Sequence, residues 1–441
     1  MRQQDVVDGA AWQSPGDGGL GRRPRTNSPA QARILSGRLA RVLVMAAGGI
    51  SDDLSAASWS EFCRRLDAAG QRLLSDEFPG SPRERAEGYR HLSRLAVFAL
   101  QYAVEFGDWD FPAFLRTNDD VVRWGGPNAD NRNHRARIDP AGTYRITGNV
   151  ATAYDVLFSI GEGDLHLDQF GIFAEVSASE LDLGDDGSIE LVVSARRHDA
   201  NWLPLDSRAR IVKIRQFFTD WRSEETGWYA IERLDTPRGA LPMPLTPERL
   251  AVSLDEAATW VERALVYWND YLRVAGADRP RNSVAAPTVT KGGAPHIRYG
   301  FGFTDLGPDD ALVIEFAEPT ARYWSVQLYS LGWFEGLDFA NRQTTLNNKQ
   351  THVDADGVVR LVVAHRDPGV PNWLDTEGLR EVMLIYRWVW STGDPAKPVC
   401  VVTRFDDLRS QLPSEHPVVS PGSRAAALRE RRLGIAARHR R

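Results

Sequence analysis

The polar segment at residues 128–135 contains the most distinctive group of side chains that could do chemistry. It follows a Gly-Gly turn and precedes the first clear strand pattern of the sequence. Asp130 and His134 could act as acid and base groups, while Asn131 and Arg132 could bind a polyhydroxylated or anionic ligand. Asn and Asp also favour turns, because their side chains bond to nearby backbone amides. The segment therefore predicts either a binding or catalytic loop or an ordinary turn.

A second candidate occurs twice, as a histidine and an aspartate shortly before an Asn-Trp dipeptide. The first copy consists of His198, Asp199, Asn201 and Trp202, and the second of His365, Asp367, Asn372 and Trp373. The first His-Asp pair is predicted to be catalytic, and His365 and both dipeptides are predicted to bind ligand. A structural role explains the same recurrence, with Asn capping a turn and Trp filling a core.

Aromatic and amide side chains supply further candidates for ligand binding. The 14 tryptophans could line a sugar- or ring-binding surface, or they could pack the cores behind strands. Trp324 lies in a strand pattern, and Asn341 lies in a long polar connection that also contains Asn347, Asn348 and His352. Long loops of β-sandwiches often carry binding residues, although a solvated loop explains them equally well. We predict Trp324 and Asn341 as ligand contacts.

Motifs of well-known chemistry are missing from the sequence. It contains no Gly-x-Ser-x-Gly elbow, no Walker loop, no Gly-x-Gly-x-x-Gly motif and no His-Glu-x-x-His motif. Cys63 and Cys400 stand far apart, which excludes a disulfide framework and a cysteine-based zinc site. No cofactor is predicted. No spacing predicts a metal site either, because His134, His198 and His365 could converge only through the fold.

Length and charge narrow the class of protein. The 441 residues predict two or three domains, and 53 basic against 59 acidic residues give a net charge of −6. This balance argues against binding to nucleic acid or to an anionic membrane surface. No stretch reaches the ~18 apolar residues of a membrane span. Near the N-terminus, arginines interrupt the segment 32–50, and its only apolar run, Val42 to Ala47, is too short for a signal sequence. We predict a cytoplasmic protein without a membrane span.

The two ends of the chain are unusual in composition. Residues 1–44 are aperiodic and rich in Gly, Arg and Pro, so either translation begins at Met45 or these residues form a disordered tail. Residues 424–441 contain seven Arg and one Glu, which predicts a solvated basic tail, with contact to an anionic partner as the alternative.

Two kinds of periodicity predict the elements that must position these residues. Apolar residues at helical spacing predict a hairpin of two helices over 53–77 and 81–106 and a long helix over 246–276. Two regions with strand periodicity follow one plan: an Asp-Gly turn, an apolar strand, an Asn-Trp-Leu segment and a second strand. The turns begin at 186 and 356 and the dipeptides at 201 and 372. This order and spacing predict an internal duplication that forms side-by-side sandwiches.

The second β region resembles the family of domain of unknown function 1214. The likeness rests on the segments at 323–326, 338–341, 356–357 and 372–374, and segments at 125–131 and 201–204 are similar to multi-region bacterial members. The resemblance covers residues 85–405. It implies tandem jelly-roll-like β-sandwiches in bacterial proteins of no settled activity. The proline that commonly follows Asn-Trp-Leu is Pro204 in the first copy but Asp375 in the second, so the two loops are expected to differ in role.

We therefore predict an α+β fold that is mainly β with helical additions: two tandem jelly-roll-like β-sandwich domains, an N-terminal helical hairpin and a connecting helix. The predicted segments are a disordered leader or over-long gene start (1–50), the helical hairpin (51–120), the first sandwich (121–240), the connecting helix and linker (241–295), the second sandwich (296–405) and a basic tail (406–441).

Three functions agree with these features, and the sequence leaves open whether the protein is an enzyme. The first and slightly favoured one is binding of a small polar-aromatic ligand, such as a glycan or a lipophilic metabolite, in a cleft of the sandwiches. The second is a hydrolase or lyase that uses the Asp and His residues named above as acid and base. The third is a structural protein that assembles into a homo-oligomer.

Overall fold

The computed structural model describes residues 53–289, 296–392 and 396–439, so the predicted leader at 1–50 lies outside the described residues. The chain divides into two compact units. Among the described residues, the first unit contains 53–269, 329–345 and 419–439, and the second contains 270–289, 296–328, 346–392 and 396–418. None of the helices described is long and apolar enough to cross a membrane.

Two helices begin the described chain, as predicted. Helix α1 spans Leu54–Arg72, and helix α2 spans Pro82–Leu100 with a π-helical extension over Gln101–Glu105. A capping box starts α2: the Ser81 side chain accepts a hydrogen bond from the Glu84 amide, while the Glu84 carboxylate accepts one from the Ser81 amide. This local chemistry explains why the helix begins at the residue that the sequence predicts.

The first unit contains two β-sheets around an apolar core. Its strands are β1 Leu115–Thr117, β2 Asn131–Arg137, β3 Tyr144–Asn149, β4 Asp155–Gly161, β5 Ile172–Ser177, β6 Ser188–Ser194, β7 Trp202–Pro204, β8 Ile211–Phe217 and β9 Trp228–Arg233. A five-stranded sheet has the order β1-β2-β8-β4-β5, and a four-stranded sheet has the order β7-β6-β3-β9. Phe158 and Ile214 of the first sheet share one buried cluster with Ile146 and Leu191 of the other, which confirms the predicted sandwich.

The remaining strands form two further sheets. They are β10 Ser283–Val284, β11 Thr288–Val289, β12 Ile297–Phe303, β13 Asp310–Ala317, β14 Ala321–Ser330, β15 Thr345–Asn347, β16 Val358–Ala364, β17 Trp373–Asp375, β18 Val382–Ser391 and β19 Val399–Arg404. One sheet has the order β10-β12-β18-β14-β15, with β11 on β12, and the other has the order β17-β16-β13-β19. Phe316 of β13 packs edge-on against Trp324 and Tyr386, so these two sheets also share an aromatic core.

The connecting helix occurs as predicted, whereas the C-terminus differs from the prediction. Helix α3 spans Pro247–Ala277. The residues expected to form a solvated tail form helix α4, which spans Pro421–His439. Its arginines at 424, 431 and 438 recur every seven residues, lie on one face and are buried, and each donates hydrogen bonds within the first unit. Burial is tolerated because these guanidinium groups keep hydrogen-bond acceptors.

Candidate functional site

A row of polar side chains crosses the five-stranded sheet of the first unit. Arg135 of β2 pairs with Lys213 of β8, Lys213 pairs with Ser159 of β4, and Ser159 pairs with Glu175 of β5. Residues that face each other directly in antiparallel strands point to the same side of the sheet. These four side chains therefore share the side that is opposite the apolar core.

Strand alternation explains why this side is polar. In β8, Val212 and Ile214 are buried in the core, whereas Lys213 and Arg215 lie at the alternate positions. Arg215 pairs with Asn133 of β2, which forms part of a second row beside the first. We call this side the polar sheet face, and its members are Asn133, Arg135, Ser159, Glu175, Lys213 and Arg215.

An ion-pair network occupies one end of the polar sheet face. Arg135 donates two hydrogen bonds to the Asp164 carboxylate, at 3.0 and 3.1 Å, and the indole Nε1 of Trp260 donates a third at 3.0 Å. The Arg135 guanidinium also lies 4.3 Å from the ring centre of Tyr102. Burial raises the pKa of Asp164, but the charge and hydrogen bonds of Arg135, together with the charges of His166 and Lys213, hold that pKa below its usual value. Arg135 and Asp164 thus satisfy each other.

Lys213 and Arg215 differ from Arg135, because neither pairs with a carboxylate among the described residues. The Lys213 amine donates to the carbonyl of Gly163 at 3.3 Å. Burial and the charge of Arg135 lower the pKa of Lys213 to about 8, against the opposing effect of Asp164. Both residues are half-buried. The polar sheet face therefore presents two cations without a carboxylate at ion-pair distance in the described chain.

Two further side chains in this region retain unused hydrogen-bonding atoms. One carboxylate oxygen of Glu175 is buried and has no partner among the described residues. The same is true of both ring nitrogens of His166, which lies in the turn between β4 and β5. Burial lowers the pKa of His166 to about 4, although Asp164 opposes this shift. Since buried polar atoms normally have partners, these atoms mark positions where a ligand or water can bind.

The residues predicted at 130–134 are separated by strand alternation. Asn131 lies on the side of the polar sheet face, whereas Arg132 and His134 lie on the opposite side of β2. The His134 ring packs edge-on against two aromatic rings, and burial lowers its pKa to about 3. Asp130 is fully buried and accepts a hydrogen bond of 2.6 Å from the indole of Trp221. Asp130 and His134 thus have separate surroundings, and their catalytic role stays a prediction.

The two Asn-Trp dipeptides make matching hydrogen bonds. The side-chain amide of each Asn donates at 2.7 and 3.0 Å to two backbone carbonyls, and its oxygen accepts from a backbone amide. The residues bonded in this way are Asp182 and Glu190 for Asn201, and His352 and Arg360 for Asn372. The indoles of Trp202 and Trp373 donate to backbone carbonyls at 3.1 and 3.0 Å. These bonds fix the chain, and a ligand-binding role for the dipeptides stays a prediction.

The other predicted residues lie in varied surroundings. His198 is half-buried and Asp199 is exposed, and the two nitrogens of His365 lie 2.6 Å from the Thr376 hydroxyl and 3.2 Å from a backbone carbonyl. Trp324 is 1% exposed within the core of the second unit. Asn341 is exposed and donates its side-chain hydrogens to Asp338. None of these residues belongs to the polar sheet face.

One group of side chains among the described residues has the types and spacing that a metal ion requires. His352, Asp354 and His416 lie in the second unit, and each offers one ligand atom within 4.8 Å of the others. The Asp354 carboxylate lies 3.1 Å from His352 Nε2 and 2.9 Å from His416 Nδ1. It also accepts a hydrogen bond of 2.7 Å from Arg360.

Comparisons with known proteins identify the family. The family model described as protein of unknown function (DUF1214) matches residues 305–392. The solved structure of an uncharacterised protein from Burkholderia cenocepacia is 33% identical, with a TM-score of 0.74, and the match covers 80% of this chain and 98% of that chain. This chain belongs to the DUF1214 family. A search of curated proteins gives no match.

A second solved structure, the VPA0106 protein from Vibrio parahaemolyticus, is only 13% identical to this DUF1214 protein. Its TM-score is 0.43, over 77% of this chain and 100% of that chain, which is too low to support an argument.

Several residues of the polar sheet face and of the histidine–aspartate group were not predicted from the sequence. Lys213 and Arg215 occupy alternate positions of an otherwise largely apolar strand, and this alternation was the available signal for a polar sheet side. His416 and Asp354 stand 62 residues apart, and no local pattern links them. The sequence does not distinguish Asp164 from other aspartates in loops, because its bond to Arg135 forms only in the folded chain.

Proposed function

We propose that the protein binds a small organic anion on the polar sheet face of the first unit. The observation that carries this proposal is the pair of half-buried cations, Lys213 and Arg215, that lack a carboxylate partner in the described chain. A ligand carboxylate would receive charge-assisted hydrogen bonds from both groups. Partial burial strengthens this attraction, because less water screens the charges than at an open surface.

The remaining members of the face suggest the class of anion. Ser159 lies between Lys213 and Glu175 in the cross-strand row, and Glu175 has a buried oxygen free to accept a hydrogen bond. Neighbouring strands lie about 4.8 Å apart, so Lys213 and Glu175 are about 10 Å apart at the backbone. We infer a hydroxy acid or sugar acid of several carbons, with its carboxylate at the cations and a hydroxyl at Glu175. A neutral glycan or lipophilic metabolite supplies no countercharge.

A thermal-shift screen of the full chain tests the proposal. The ligands are small hydroxy acids and sugar acids, with neutral sugars and steroids for comparison. At a concentration of about 100 times Kd, a bound acid stabilises the protein by about 2.7 kcal/mol. For a unit of 150–250 residues this raises the unfolding midpoint by about 5–11 °C. Neutral ligands should give no shift, because they leave both cations uncompensated.

Substitution of Arg215 tests whether binding occurs at this face. We expect Arg215→Ala to raise the Kd of an acid found in the screen by about tenfold or more, since a charge-assisted hydrogen bond contributes at least about 1.5 kcal/mol. Arg222→Ala is the matched control, because Arg222 is in the same unit with a side chain that is 69% exposed. Equal effects of the two variants, or equal shifts by acids and neutral sugars, would contradict the proposal.

The other functions predicted from the sequence have less support. For an acid–base mechanism, Asp130 and His134 lie in separate surroundings, since the Asp130 carboxylate accepts the Trp221 hydrogen bond and the His134 ring packs against Phe114 and Tyr229. The internal duplication is supported by the matching bonds of Asn201 and Asn372 and by a parallel strand pair after each. We therefore infer two related units, of which the first binds the anion.

A further inference from the structure

The histidine–aspartate group of the second unit has the composition of a metal centre. Asp354 stands at the turn before strand β16, His352 lies two residues earlier, and His416 follows the 3-10 helix Phe405–Gln411. Asp354 Oδ1 faces both histidines, at 3.1 Å from His352 Nε2 and 2.9 Å from His416 Nδ1. Three potential ligand atoms from two distant segments thus converge on one point.

The donor set selects a class of ion. Two imidazole nitrogens and one carboxylate oxygen suit Zn²⁺ and other divalent first-row metals, whereas Ca²⁺ and Mg²⁺ prefer oxygen ligands. The side chains of Asp354 and His416 are 3% and 0% exposed, but that of His352 is 35% exposed. An ion could therefore enter from the side of His352, and a fourth position would remain for water or a substrate.

Neighbouring groups hold the ligands in place. Arg360 donates to Asp354 Oδ2 at 2.7 Å and so fixes the orientation of the carboxylate. Oδ1 faces both histidines, and Oδ2 also lies 3.0 Å from His416 Nδ1. The Asn372 side chain bonds to both the backbone amide and the backbone carbonyl of His352, at 2.8 and 2.7 Å. Bonds of this kind orient metal ligands in many proteins.

The local charge favours a cation. The Arg360 guanidinium contacts three carboxylates, those of Glu315, Asp354 and Asp356. The other nearby cation, Arg409, donates to backbone carbonyls, including that of His416. Three carboxylates thus meet two guanidinium groups around the two imidazoles, and a divalent ion would offset the excess of negative charge.

The equivalent turn of the first unit shows that the fold does not require these donors. There, the amide of Gly184 bonds to the carbonyl of Ser188 at 2.9 Å, just as the amide of Asp354 bonds to Val358 at 3.0 Å. Gly184 thus takes the position of Asp354, and Asp182 takes that of His352, since each bonds to the Asn of its dipeptide. The same turn forms without the His-x-Asp pair.

We propose that His352, Asp354 and His416 form a three-ligand site for a divalent transition metal ion such as Zn²⁺, present in the second unit and absent from the equivalent turn of the first. The site does not depend on the anion-binding function proposed above, because it uses none of the same residues.

Metal titration of the chelator-treated full chain tests this proposal. We expect one equivalent of Zn²⁺ to bind by calorimetry, and one equivalent of Co²⁺ to produce the visible absorption bands of a low-coordinate site. His352→Ala should raise the Kd for Zn²⁺ by at least about 100-fold, because loss of a ligand exceeds the 10- to 100-fold effect of an outer-shell change. His352 is partly exposed, so this variant should fold normally.

Two further variants complete the test. Asp354→Asn should also abolish tight binding, since it keeps the shape of the side chain but removes its charge. His296→Ala is the matched control, because His296 is exposed in the same unit and outside the group. The proposal is overturned if the wild-type chain binds no Zn²⁺ with one-to-one stoichiometry, or if His352→Ala binds it as tightly as His296→Ala does.

Discussion

The amine of Lys213 is held in surroundings that disfavour its charge. Burial and the neighbouring charge of Arg135 lower its pKa to about 8 from the usual 10.5. The folded protein therefore releases this proton at a lower pH than the unfolded chain does. A bound anion would reverse the effect, because it would stabilise the charged amine, and this makes Lys213 suited to anion binding.

The pH dependence of stability should report this lysine. Between pH 8 and 10.5 the unfolded chain binds more protons than the folded chain, so the Lys213 contribution to the free energy of unfolding increases as pH rises. We expect Lys213→Met to have a higher urea midpoint than the wild type below pH 8, with a gap that narrows toward pH 10.5. Urea unfolding followed by circular dichroism at several pH values measures this gap.

Lys349→Met is the control for this measurement, because Lys349 is exposed. Its difference from the wild type should be small. If the gap for Lys213→Met were constant with pH, the lowered pKa would be contradicted.

Residue types alone could predict only part of the candidate site. The many polar groups at 128–135 predicted a site at strand β2. However, successive side chains of a strand point to opposite sides of the sheet, so Asn131 and Arg132 are separated. Lys213 joins Arg135 because β8 pairs with β2 in one particular register. Register depends on how the whole sheet packs, so the composition of either strand alone could not reveal this neighbour.

At the scale of elements, two three-residue strands depend on the asparagine that precedes them. Strands β7 and β17 run parallel to β6 and β16 at the ends of their sheets. Such short strands make few backbone hydrogen bonds. The side-chain bonds of Asn201 and Asn372 therefore supply a large share of their attachment.

Substitution of the two asparagines should have unequal effects. Asn372 is fully buried, and Asn372→Ala leaves backbone groups of His352 and Arg360 without partners. Each of these three groups costs about 1–3 kcal/mol, so we expect a loss of at least about 3 kcal/mol in the free energy of unfolding. Asn201 is half-buried, so water can replace its bonds and Asn201→Ala should cost about 1 kcal/mol. Urea unfolding measures both, and a larger loss for Asn201→Ala would contradict this account.

These elements were predictable because their signals are local. An Asp-Gly turn, an apolar strand and an Asn-Trp dipeptide act within one short stretch of chain, and the helix start at Ser81 depends on residues three apart. The order of the strands within each sheet could not be predicted from local sequence. Strand β3 pairs with β6 and with β9, and the sequence of its six residues does not predict which strands it pairs with.

At the scale of the whole molecule, helix α4 contributes to a buried cluster of the first unit. Helix α4 places Ile435 in a buried cluster with Phe218 and Trp221. The guanidinium of Arg431 lies 4.5 Å from the ring centre of Trp221, and that of Arg438 lies 4.4 Å from the ring centre of Phe218. The arginine content of this segment predicted solvent exposure. However, its buried arginines are seven residues apart, which is typical of residues on one face of a helix.

Two arginines of helix α4 should therefore differ in their effect on stability. Arg438→Ala removes a 2.7 Å hydrogen bond to the carbonyl of Ala129 and the ring contacts with Phe218 and Trp221. We expect a loss of about 2–3 kcal/mol in the free energy of unfolding. Arg432 is exposed on the same helix, and Arg432→Ala should change stability by no more than about 0.5 kcal/mol. Urea unfolding distinguishes the two, and equally small losses would mean that the helix is solvated, as composition alone predicts.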